Sequence, residues 1–163
     1  MTTAIIICIA YRGTSQPATS FANVSATIVT PLTIAKNENI DFGNVGVRSL
    51  TGGNVVLSPE GTRSATKGVI LRHDKGTVTA ADFTVMGSIA YTYTIAFPCS
   101  VVLLNENGAE TMLASGFTST PNLTGFLAGG MQRIRIGASL ALNAGQKPGH
   151  YSSHDFEVMV YYN

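Results

Sequence analysis

The chain has 163 residues, of which 45% are apolar and only 12% charged, with a formal net charge of +1. That length fits one domain with a core of useful size, and the apolar share excludes a disordered chain. The ten basic residues are scattered, the closest grouping being Arg133 with Arg135, so the cationic stripe that nucleic acid requires is missing.

The first apolar run, Ala4 to Ala10, contains Cys8 and reads as the hydrophobic part of a secretory signal. It is too short to span a membrane, and no Lys or Arg precedes it. Residues 1–20 are therefore expected to be a truncated signal remnant or an N-terminal extension, with an ordinary apolar strand at 1–12 as the alternative. Cleavage between Ala10 and Ala22 would leave Cys99 as the one cysteine and no internal disulfide. Residues 21–163 are expected to form a single domain.

Downstream, apolar residues recur with period two, the spacing of half-buried strands. Ala22, Val24, Ala26, Ile28, Leu32 and Ile34 lie on even positions, interrupted by Pro31, which marks an edge strand or a bulge. Ile40 and Phe42 follow, then Val55 to Leu57 before the turn Ser58-Pro59-Glu60-Gly61. Val69 to Leu71 precedes a second turn at His73-Asp74-Lys75-Gly76. Phe83 with Val85, then Tyr91, Tyr93 and Ile95, alternate with polar residues, and Pro98 ends the latter run. Val101 to Leu104 enters the hairpin-like Asn105-Glu106-Asn107-Gly108, and Met112 to Phe117 continues as a strand. A Gly-rich loop from Thr118 to Gly130 leads to Ile134, Ile136, Ala138, Leu140 and Leu142. In the last strand Phe156, Val158, Val160 and Tyr162 share one face, opposite Glu157, Met159 and Tyr161. About eight to ten short strands without a helical period predict an all-β, antiparallel sandwich or barrel.

These segments resemble a bacterial family, the domain of unknown function 4402. The likeness is carried by Ala26 to Ile34, Asp41-Phe-Gly-Asn44, Phe83 to Gly87, Tyr91 to Pro98, Ile136-Gly-Ala138, Gly149-His-Tyr151 and Phe156 to Asn163, in order from about Ala22 to the end. It implies an exported bacterial protein and brings no established enzymatic activity and no ligand residues to carry over; the fold expected is an immunoglobulin-like or pilin-like antiparallel sandwich. A weaker likeness joins the chain to chaperone–usher pilins and spore-coat-U-type subunits. It rests on the alternating last strand, the penultimate Tyr162 and Gly149 thirteen residues before it. That likeness implies partners that are other copies or related subunits, joined by β-strand addition, and a periplasmic chaperone. The cysteine pair of many such pilins is not present. The alternation at 22–34 suits the domain's own first strand equally well.

Chemistry is sparse. His73, His150 and His154 stand in no nucleophile motif, and His154 and Asp155 as strand neighbours would face opposite ways. His150 and His154 would lie about 13 Å apart in an extended chain, too far to share a metal ion. No calcium loop or phosphate-cradling glycine pattern occurs, and few acids with no Trp argue against a sugar-cleaving cleft. No catalytic, metal or cofactor residue is assigned, and the chain is not expected to be an enzyme. Cys99 is expected to be a buried, inert thiol, and the tyrosines to pack across strands.

The leading expectation is thus a structural subunit of a pilus-like or cell-surface assembly. Its strand-exchange candidates are Ala22, Val24, Ala26 and Ile28 in the tail and Phe156, Val158, Val160 and Tyr162 in the last strand. The alternative is an adhesin or carbohydrate-binding module that uses end loops, with Phe126 and Leu127 as the contact residues.

Overall fold

A computed structural model describes Gly13 and residues 16–163, and every regular element among them is a β-strand. In chain order the strands are β1 (Thr33–Glu38), β2 (Val45–Val47), β3 (Gly53–Leu57), β4 (Arg63–Ala65), β5 (Val69–Leu71), β6 (Ala81–Met86) and β7 (Thr92–Ala96). They continue with β8 (Ser100–Asn105), β9 (Thr111–Thr120), β10 (Thr124–Phe126), β11 (Met131–Leu142), β12 (Tyr151–Ser152) and β13 (Met159–Tyr162). The signal reading and Cys8 fall outside the described residues.

All pairings are antiparallel. The largest sheet runs β1-β6-β11-β9-β8-β12, with β3 also on β11 and β4 on β3. A three-stranded sheet, β10-β7-β13, covers one part of it, and the β2-β5 pair covers another. The result is a β-sandwich.

The twelve-residue β11 is its spine. Ile134, Ile136, Ala138, Leu140 and Leu142, spaced by two, all turn inward and are buried, as the sequence period requires. The first pair enters a core with Phe83, Val85, Tyr93, Ile95 and Leu127, and the last three enter a second core with Val55, Leu57 and Val69. Gly137 marks the changeover. On the same side, β11 pairs β6 up to Ile136 and β3 from Ala138. The backbone of Leu57 and Ser58 passes so close to Gly137 that a Cβ there would collide with it.

Two expectations change. Alternation at 22–34 does not extend one strand, because pairing begins only at Thr33. Residues 16–31 form no strand and are exposed. The Thr118–Gly130 segment is not a long loop: it holds the end of β9, a turn and β10. In that turn the Ser119 hydroxyl donates to Pro121 O (2.8 Å) and accepts from Leu123 N–H (3.1 Å). Pro121 and Gly125 break the period that would have revealed the strands, while β-branched threonines sustain them.

Candidate functional site

Two strand edges stand close to the root of the N-terminal segment. β13 pairs β7 in the register Met159↔Ala96 to Tyr162↔Tyr93, and its other side has no strand among the described residues. β1 likewise pairs only β6. The two open edges approach one another at the rim of the sandwich. Between them lies a row of half-buried apolar side chains, Leu32, Ile34, Phe156, Val158, Val160 and Tyr162, packed on the core beneath. Phe156 also packs on Phe117, with ring centroids 5.5 Å apart. The expected face of the last strand is therefore inward, and Glu157, Met159 and Tyr161 are exposed. Regular pairing covers only Met159–Tyr162, so Phe156 and Val158 precede the strand.

Tyr162 fixes the root of the N-terminal segment. Its hydroxyl accepts from Ser88 N–H (2.6 Å) and donates to Thr30 O (2.7 Å), while Thr30 N–H donates to Ser88 Oγ (2.7 Å). Gly87 makes room for this contact, since a Cβ there would run into the Tyr162 hydroxyl. Beyond Thr30 the chain leaves the body. Phe21, Val24 and Ile28 are 97, 99 and 98% exposed, and Ala22 and Ala26 are exposed with them. The four tail candidates thus lie together on the exposed segment, separate from the last-strand candidates that line the rim.

The loop candidates divide. Phe126 is half exposed, but Leu127 is fully buried in the core with Tyr93 and Ile134 and has no surface to offer a ligand. Gly149 lies against Asn105, before β12, rather than beside β13. Tyr93 is also fully buried and donates to Gln132 Oε1 (2.9 Å), and burial pushes its hydroxyl pKa up to about 12. Tyr91 and Tyr162 pack together with centroids 5.4 Å apart, as expected of cross-strand tyrosines. Cys99, expected inside, is exposed, because it follows Pro98 beyond the end of β7.

The outer face of the main sheet carries one charged network. Asp82 accepts from Asn37 Nδ2 (2.7 Å) and from Arg133 Nε and Nη2 (3.2 and 2.7 Å), and Arg135 Nε lies 3.8 Å away. Burial pushes the Asp82 carboxyl upward, but the hydrogen bonds from Asn37 and Arg133 and the two arginine charges outweigh it. The net direction is down. This network ties β1, β6 and β11 together. Arg133 and Arg135 share a face as the sequence implies, but their charge is spent on Asp82.

His73, His150, His154 and Asp155 are all exposed, and no group of three or more metal-ligating side chains occurs among the described residues. No helix of the described residues is long and apolar enough to cross a membrane. The sequence gives no sign of one grouping: Arg63, Arg72, His73 and Lys75, dispersed over thirteen positions, line one surface basin. Only the pairing of β3 with β4 and the turn after β5 bring them together.

A family model described as a domain of unknown function (DUF4402) matches residues 32–162. No curated protein and no solved structure matches the chain.

Proposed function

The chain belongs to the family of the domain of unknown function DUF4402, and we propose that it is a non-enzymatic, exported structural subunit that assembles by β-strand addition. The observation that carries this reading is the apolar segment 21–28, which is exposed among the described residues while its root at Thr30 is tied to Tyr162 of the open-edged β13. Val24 and Ile28 lie on one parity with Ala22 and Ala26, so an extended tail presents all four to the same side. Burying a side chain the size of Val, Ile or Phe is worth about 1.5–3 kcal/mol, which gives the tail reason to find a partner surface. An unpaired edge at β13 offers backbone donors and acceptors, and the half-buried row from Leu32 to Tyr162 offers apolar contacts.

Reach favours exchange between copies. At about 3.3 Å per residue, the nine residues from the Thr30 anchor to Phe21 extend about 30 Å, more than twice the length of β13. The immunoglobulin-like, pilin-like character and export to the bacterial surface belong to the same proposal, as do partner subunits and a periplasmic chaperone.

A peptide of residues 18–30, added to a domain lacking residues 1–29, tests it. At roughly a hundredfold excess over its Kd, the peptide is expected to raise the Tm by about 5–10 °C. An unmoved Tm, with a stable monomeric truncated domain, removes the polymerisation reading.

A second reading, an adhesin using end loops, is favoured by one feature. Phe126 is half exposed at the same end as Ile89 and Met131, which are 66 and 59% exposed. A glycan array on which F126A loses all hits would support it, and an array without hits would oppose it.

A further inference from the structure

We propose that the basin between β4 and the turn after β5 is a binding site for a dianionic oxyanion carried on a sugar, such as a phosphorylated monosaccharide unit. The basin has a volume of about 470 Å³ and is lined by Arg63, Arg72, His73 and Lys75 around Gly61, Leu71 and Val78. No carboxylate lines it. Leu71 and Val78 supply apolar wall against which a ring can lie, a surface that a bare phosphate would not use.

One of the cations is fixed in place, and the backbone that carries another is clamped. Arg63 is half-buried, and its Nη1 donates to the main-chain oxygens of Phe42 (2.6 Å) and Asn44 (3.0 Å). The same segment clamps the opposite wall, because Asn44 N–H donates to Lys75 O (2.7 Å). Gly43, at φ +65°, permits this, since a Cβ there would strike Lys75 O. One stretch, Phe42 to Asn44, therefore positions both Arg63 and the Lys75 backbone.

Their charge is also unanswered. Among the described residues no carboxylate comes within ion-pair distance of Arg63, Arg72 or Lys75. Nearby acids are engaged elsewhere: Asp41 Oδ1 accepts from Gly43 N–H (2.7 Å), and Glu60 accepts from the Thr120 hydroxyl (3.2 Å). Asp74 belongs to the turn but does not line the basin. Like charges around one concavity concentrate a field that draws anions. Arginine's fork suits a tetrahedral oxyanion. This site stands apart from the β13 edge and does not depend on strand exchange.

Calorimetric titration of the full chain tests it, with glucose 6-phosphate, glucose and inorganic phosphate as probes. Glucose 6-phosphate is expected to bind with millimolar or tighter Kd, inorganic phosphate more weakly, and glucose not at all. The exposed double variant R72Q/K75Q is expected to weaken glucose 6-phosphate binding at least about tenfold with an unchanged Tm. Phosphate binding as tightly as the sugar phosphate would overturn the sugar part of the assignment. No saturable heat up to about 10 mM, or binding indifferent to R72Q/K75Q, would overturn the site itself.

Discussion

At the scale of single residues, two polar contacts hold the edges of this sandwich in place. Asp82 is nearly inaccessible, and its carboxylate takes three hydrogen bonds from two neighbouring strands. Replacing it as D82N is expected to cost about 1–3 kcal/mol at neutral pH, measured by urea unfolding. Because the folded carboxyl titrates below its ordinary range, its contribution is full above the unfolded pKa and fades as pH falls through the lower folded value. The gap between the wild type and D82N should therefore close below about pH 4. The Tyr162 hydroxyl makes the second contact. Y162F leaves Ser88 N–H and Thr30 O without that partner and should cost about 1–2 kcal/mol, while speeding amide exchange at Ser88. Nothing in the sequence announces either network. Asn37, Asp82 and Arg133 are far apart in the chain, and only the β1-β6-β11 register brings them together. Leu127 was unreadable for a similar reason: its burial depends on Tyr93 and Ile134, not on its Gly-rich neighbours.

At the scale of elements, period-two patterning made β6, β7, β11 and β13 legible, and short apolar runs closed by turn residues marked β3, β5 and β8, because each turns one face to the core. The short β2, β4, β10 and β12 escaped, since glycine or polar residues within two or three positions leave neither a period nor an apolar run to read. In residues 22–34 the pattern is genuine but its meaning is not local. Alternation reports a face built for burial, and it is equally present whether the partner sheet belongs to the same chain or another. Pro31 marks the division well: paired structure starts two residues later. In β11, Gly137 allows one strand to serve β6 and β3 in succession. A side chain there has to displace the Leu57–Ser58 backbone, so G137A is expected to cost about 1–3 kcal/mol by thermal or chemical melt. Tail-mediated association should survive that change at temperatures where the domain stays folded, because a side chain at Gly137 meets the Leu57–Ser58 backbone and neither the tail nor the β13 edge.

At the scale of the whole molecule, a DUF4402 sandwich with a covered core carries an apolar tail that its own body leaves in water. The proposal explains this by a second copy whose β13 edge the tail completes. Charge introduced at apolar positions should separate folding from assembly. V24D/I28D is expected to leave the Tm of the dilute domain within about 2 °C of the wild type, since both side chains are already solvated. The same variant should lose association in light scattering. The most direct measurement mixes isotope-labelled and unlabelled chains and records only contacts between them. The account predicts transfer from the Val24 and Ile28 methyls of one chain to Val160 and Tyr162 of another. A monomer without such transfer, or contacts found only within a single chain, would contradict it.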